Sequence, residues 1–549
     1  MPYATNNSMS LQRKRLKSDL PQAVTLSPSS RGEKEPTTGD RGEPPPKSRS
    51  RHESSTASRT TTRKRRLQRR RTPLVLLQQT GQAGVRKVFD LRRFLYVLAL
   101  TGAVLLLPTP VGLSPEGHQA LALFVFTGSI LALTPAPLPI SALMVPIAQI
   151  ALGIDTASGA FAPFSQPVVF LILGSLFLAE ALRKHGVTRR LALYVIVATR
   201  GHFRALLFGI MLIGGVLSMF VLNTATAAVL IPVAVTIAQR VRQREDAKRA
   251  LALLILGIGY SASIGSIATI VGSGANVIAA GLLAQVVPFG FLDWMKYGLP
   301  IAVVLLPASW LLLMQSIRIP NISIDIQPAI DEIKQLGGVK GPERETVIVL
   351  GMAVFLWMTG AQIESALGLP ATLLSSAVIA IAAVALLSIE EIVDWNDLRG
   401  VNWGVLFVIG AGLTLGDALD KTGASEWFAG LLSPMLEGLP YWLILAVLVG
   451  GAFALTQFMN NVTLGAILAP ILVTLGGASG ISPERLLLPT IIAVSLAYML
   501  PSSSARMTLV AVTGAVEPKD MVRAGLIVGI PSALFIFFFF LGLSYLGAI

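Results

Sequence analysis

The stretch VLNTATAAVLIP, residues 221–232, lies inside an uncharged run that extends from Ala205 to Ala238. As one helix that run is longer than a hydrocarbon core of about 30 Å requires. Asn223, Thr224 and Thr226 fall near its middle and Pro232 follows. None of these is a good helix former, and side-chain donors and acceptors at lipid depth are costly. A straight span explains neither the length nor the polar residues. A re-entrant hairpin over 203–240 explains both, with Asn223-Thr224 at its tip. The first half-helix then ends in unpaired carbonyls suited to a hard cation, and the second begins with unpaired N–H groups suited to an anion. Irregular backbone at this depth is tolerated where it lines a polar cavity. A kinked span whose Asn223 bonds a neighbouring helix is the alternative. A second segment of the same kind, TQFMNNVTLGAILAP at 456–470, favours the hairpin and predicts another over 439–478.

The rest of the chain sets the class. Of 549 residues, 53% are hydrophobic and 13% charged, with a mean hydropathy of +0.68. Apolar stretches of about 20 residues recur beyond residue 93, each long enough to cross a bilayer as a helix. The composition predicts an all-α polytopic membrane protein with about eleven transmembrane helices beside the two hairpins. No cysteine is present, which removes disulfides and thiolate chemistry. The four histidines, His52, His118, His185 and His202, lack metal-ligand spacing. With no nucleophile elbow, phosphate-cradling glycine loop or zinc motif, an enzyme is not expected, and no cofactor is called for.

Charge is divided unevenly. Residues 1–93 carry 22 Lys+Arg against 7 Asp+Glu, so the remainder of the chain is nearly neutral. The segment 1–92 reads as a disordered basic tail held near anionic headgroups, without a cleavable secretory signal. An organelle transit peptide is the alternative, though seven acidic residues weigh against it. Nucleic-acid binding by its KRRLQRRR run is not expected. The membrane body divides into a first half, 93–317, a cytoplasmic linker, 318–345, and a second half, 346–549. Ala181-Leu182 and Gly186 correspond to Ala418-Leu419 and Gly423, Asn223 and Pro232 to Asn461 and Pro470, and Asp293 to Asp520, always in the same order. Basic residues flank the first hairpin (Arg183, Lys184, Arg189, Arg190, Arg240, Arg242, Arg244) and are sparse around the second. Positive residues favour the cytoplasm, so the two hairpins should enter from opposite sides. That is an inverted repeat, a transporter architecture.

These motifs carry a resemblance. Leu222-Asn223-Thr224 and Asn460-Asn461-Val462 are similar to the Ser-Asn-Thr hairpin tips of the divalent anion–sodium symporter (DASS) family. Ser263-Ile264-Gly265-Ser266, Thr269 and Gly272-Ser273-Gly274-Ala275-Asn276 resemble its first glycine-rich break, and Leu500-Pro501 through Met507 its second. The resemblance covers nearly all of 93–549. It implies a homodimeric elevator carrying a small anion of the dicarboxylate or sulfate class with sodium as coupling ion. The anion would meet Asn223, Thr224, Asn460, Asn461 and Ser504. Sodium would be held near Leu222, Asn223, Ser263, Gly265, Thr269, Asn276 and Asn461. The departures are Leu222, Asn460 and Val462 at the tips and the loss of the second Pro-Pro-Asn.

Arg506 stands where that motif is lost. It is the only basic residue between Leu486 and Pro518 and needs an anionic partner in so apolar a run. We expect it to stand in for a cation and to grip the substrate bidentately or meet a ring of carbonyls, the alternatives being snorkelling or an acid. Glu180 and Asp417, which correspond across the repeat, read as interfacial. The expected setting is the cell (inner) membrane with a cytoplasmic N-terminus, or an organelle envelope. A sodium-independent exchanger or a related oxyanion or proton-coupled carrier is the competing function. A channel or receptor is the least favoured, since no polar segment beyond the tail could form a sensory domain.

Overall fold

A computed structural model describes residues 89–549, apart from 242, 318, 320, 321, 323, 340 and 437. The expected basic tail, residues 1–92, lies almost entirely outside the described residues. Every regular element among the described residues is helical, as the hydropathy pattern requires. Asp90 is the N-cap of the helix Leu91–Leu106, its carboxylate accepting from the Arg92 and Arg93 amides.

Among the described residues, five helices are by themselves long and apolar enough to cross a membrane: Pro115–Leu133, Glu245–Ile267, Phe291–Ser316, Pro342–Leu367 and Pro518–Tyr545. Ala157–Ser165 and Pro167–Lys184, bent by 46°, make a sixth if they act as one span. The other apolar helices are shorter because the sequence interrupts them. Phe203–Ser218 stops at a turn, and Asn223–Gln239 starts after it. In the second half Tyr441–Leu455 stops and Asn461–Ser479 starts. At 1.5 Å per residue these arms fall at or below the thickness of the hydrocarbon core. Pro232 and Pro470 lie at matching places inside the returning arms.

Two further helices are broken rather than turned. Arg244–Ile267 gives way to a 3₁₀ turn, Ile270–Gly272, and resumes as Gly274–Val286. Pro483–Val494 likewise gives way to Pro501–Ser503 and resumes as Ala505–Val512. Only glycine permits the first break to close up. A Cβ on Gly272 would sit 2.5 Å from the Ser266 carbonyl oxygen and 2.8 Å from that of Ser218.

The halves pack by exchange. Asn223–Gln239 lies on Ala505–Val512 from the other half, and Asn461–Ser479 lies on Gly274–Val286. Leu138–Ala151 lies on Gly404–Lys421, and Ser376–Ile389 on Pro167–Lys184. These two pairs of contacts each repeat with the halves swapped, the pattern expected of two repeats related by a two-fold axis. The linker carries the helix Gln327–Leu336 and ties back to the first half. Arg190 bonds Glu343 at 2.6 Å and the Gly337 carbonyl at 2.6 Å, and Ile324 N donates to Gly201 O at 2.9 Å.

Candidate functional site

A cavity of about 510 Å³ opens where the two hairpin tips and the two broken helices meet. Its wall includes Leu222–Thr226 from the first tip, Asn460–Val462 from the second, Ser273-Gly274 from the first break and Ser504-Ala505 from the second. Each of these groups opens a helix. Asn223, Asn461, Gly274 and Ala505 are the first residues of their helices, so four helix N-termini converge on one space. The leading amides of a helix have no partners within it, and its dipole is positive there. Four such ends around one cavity make a setting for negative charge.

The side chains refine that setting. Asn223 and Asn461 are buried in the wall, at 9% and 4% exposure. The Thr224 hydroxyl donates to Asn223 Oδ1 at 3.3 Å, which orients the amide. Asn460 is spent partly on its own helix, since its Oδ1 accepts from Val462 N at 2.9 Å. Ser504 caps the last short helix by accepting from Met507 N at 3.3 Å. Ser273 holds the equivalent cap position in the first half, yet its buried hydroxyl has no partner among the described residues. Sequence reasoning names Ser273 within the first break but gives it no role at the site. Its match to Ser504, one residue before the resuming helix, was the available signal.

Of the six residues expected at the anion, the structure brings five to the cavity: Asn223, Thr224, Asn460, Asn461 and Ser504. Arg506 is the exception, and the expectation that it grips the anion is corrected. Its side chain is fully buried behind the wall. Its guanidinium is directed at backbone, with Nε donating to Gly259 O at 3.2 Å and Nη2 to Ala497 O at 2.9 Å and Ser495 O at 3.3 Å. A ring of carbonyls is therefore its partner.

The residues expected at sodium separate in the same way. Leu222, Asn223 and Asn461 line the cavity, whereas Ser263, Gly265, Thr269 and Asn276 lie behind it and are fully buried. Asn276 Nδ2 donates to Ser266 O at 2.8 Å and Thr269 O at 2.9 Å, which leaves its buried Oδ1 unpaired among the described residues. Thr269 donates its hydroxyl to Met219 O, at the carbonyl end of the first hairpin arm. Ser263 instead reaches across the halves to Ser495 O. Gly265 serves close packing, because a Cβ there would lie 2.0 Å from Gly215 O.

Charge enters the wall through Glu180 and Arg183, which pair with each other at 2.8 Å. Across the repeat, Asp417 pairs with Lys421 at 2.8 Å, and Lys421 also meets Asp155 at 2.8 Å. The Lys421 ammonium beside Asp155 holds that carboxyl below the usual range.

Comparison with known proteins identifies relatives of the whole membrane body. Residues 90–546 match the model of the sodium:sulfate symporter transmembrane region. An uncharacterised transporter of Haemophilus influenzae is 30% identical over 423 residues, spanning 76% of this chain and 89% of that protein. The sodium-dependent dicarboxylate transporter SdcS of Staphylococcus saprophyticus is 28% identical over 456 residues, spanning 79% of this chain and 87% of the relative. Among solved structures, the YdaH transporter of Alcanivorax borkumensis, described as having an unusual topology, superposes with a TM-score of 0.50. At 15% identity it covers 76% of this chain and 97% of its own, which speaks to fold alone.

Proposed function

The chain belongs to the sodium:sulfate symporter family, and from that premise we propose that it carries a small divalent anion, of the dicarboxylate or sulfate class, with sodium as coupling ion. The observation that carries the reading is the convergence of four helix N-termini on one cavity of ligand size. Asn223, Thr224 and Asn461 would hold the acidic groups of the anion, with Asn460 and Ser504 at their sides. Sodium fits the first half, where Ser218 Oγ, Ser273 Oγ and Asn276 Oδ1 are buried oxygens without partners among the described residues. Hard cations take oxygen ligands of this kind. An elevator motion, in a homodimer, accords with hairpins and broken helices that pack on one another across the halves.

Thermal unfolding of the purified protein tests the reading. Succinate, malate, citrate, 2-oxoglutarate and sulfate are each added in sodium and in potassium, since only a ligand bound to the folded state stabilises it. At least one divalent anion should raise Tm, and more in sodium. No shift from any of the five, in either cation, sinks the proposal.

A further inference from the structure

We propose that Arg506 is a built-in cation, which closes the second half to sodium and leaves the first half as the sole sodium site. The inference rests on the transport reading for its purpose but on geometry for its substance.

The two breaks align through their 3₁₀ turns, Ile270–Gly272 against Pro501–Ser503, with Ser273 against Ser504. That alignment sets Ala275 against Arg506 and Ser266 against Ala497. In both halves the carbonyl end of the incoming helix must find donors, since its last carbonyls have none within the helix. In the first half the donors are neutral. The Asn276 amide serves Ser266 O and Thr269 O, and the Trp294 indole serves Ile267 O at 2.8 Å. Buried oxygens are left over beside them. An end rich in acceptors, supplied only by neutral donors, has room for a positive charge.

The second half is filled differently. The Thr456 hydroxyl donates to Val494 O at 2.6 Å and the Gln457 amide to Leu496 O at 2.9 Å. Arg506 serves Ser495 O and Ala497 O, and adds Gly259 O from the other half. Consecutive carbonyls from Val494 to Ala497 are thus all occupied, two of them by a guanidinium. An arginine cannot shed its proton to relieve burial, so the charge is permanent. All its partners among the described residues are carbonyls, and Nη1 has none. Its charge is therefore uncompensated by any of these contacts. Its neighbours Ser504 and Ala505 line the cavity, so a bound dianion is the natural countercharge. Here the second half would supply by covalent attachment what a mobile ion would otherwise bring.

The test begins with sodium alone. Thermal stability of wild type, Arg506→Lys and Arg506→Met is followed as sodium replaces potassium at constant ionic strength, without anion. Lysine keeps the charge and should leave the sodium response as in wild type. Methionine keeps an unbranched apolar stem, removes the charge and frees the carbonyls. Its Tm should recover with sodium beyond any rise in wild type. Anion uptake by wild type should depend on sodium with a Hill coefficient of about one, rising toward two in Arg506→Met. A wild-type coefficient of two or more overturns the proposal even if the methionine variant does not fold. So does a folded methionine variant with no added sodium response. If no anion stabilises wild type but Arg506→Met still gains a sodium response, the transport reading fails and the built-in cation stands.

Discussion

Asn223 and Asn461 hold the same place in the two halves, each the first residue of a returning hairpin arm and each buried in the cavity wall. Their equivalence is chemical as well as positional. An amide both donates and accepts, so it can face an acidic group and a coupling ion together. Alanine at either position leaves the helix start intact but removes that side chain. Polar contacts to a charged ligand are worth roughly 1.5–3 kcal/mol each, or about ten- to a hundredfold in affinity. Asn223→Ala and Asn461→Ala should each lower anion uptake by that factor with expression unchanged. Uptake at the wild-type rate in both would reduce the tips to packing features. The residue scale also shows where sequence reading stops. Asn223 and Asn461 were legible because a polar residue inside an apolar run has few explanations. The surroundings of Arg506 were not, because Gly259 lies far away in the chain and its carbonyl is not encoded in the side-chain pattern.

At the scale of elements, the hairpins and breaks were legible from polar and glycine interruptions, whereas the use made of each glycine was not. Gly265 belongs by resemblance to an ion-binding break, yet it sits within Arg244–Ile267 where that helix crosses Phe203–Ser218. The reason is steric. A Cβ there would lie 2.0 Å from Gly215 O and 2.6 Å from its carbon atoms, and backbone cannot swing aside as a long side chain can. Gly265→Ala should therefore separate the hairpin from the broken helix and destabilise the protein by about 1–3 kcal/mol, the usual cost of overpacking. Gly450, in Tyr441–Leu455, has nothing within 4 Å of an added Cβ, and Gly450→Ala should leave Tm within error of wild type. Equal Tm values for both variants would mean that the Gly215–Gly265 contact is soft. The same reading places Ser263 correctly in the broken helix but gives no hint that it serves the other half through Ser495 O.

For the whole molecule, orientation follows from charge. The first hairpin is flanked by arginines and lysines, and the structure adds that the linker is fastened to the same region. Arg189 meets Glu332 at 2.5 Å, Arg190 meets Glu343 at 2.6 Å, and at the start of the hairpin arm Phe203 N donates to the Ile322 carbonyl at 3.4 Å. Arg240, at the far end of the hairpin, lines a shared recess with Arg189 and Glu332, so the linker and both hairpin ends share one face, and its arginines predict that this face is cytoplasmic. The second hairpin begins near Leu439, with few basic residues on its flanks. Its ends should face the opposite side if the two-fold exchange of contacts between halves reflects an inverted repeat. Because the chain has no cysteine, single cysteines report each face without a background. Gln243→Cys and Leu439→Cys both replace exposed side chains. In intact cells a membrane-impermeant maleimide should label Leu439→Cys and spare Gln243→Cys until the membrane is permeabilised. Labelling of both from outside would place the hairpin ends on one face and remove the inverted repeat. The reverse pattern would keep the repeat and turn the protein over, with its arginine-rich face outside and the positive-inside assignment refuted.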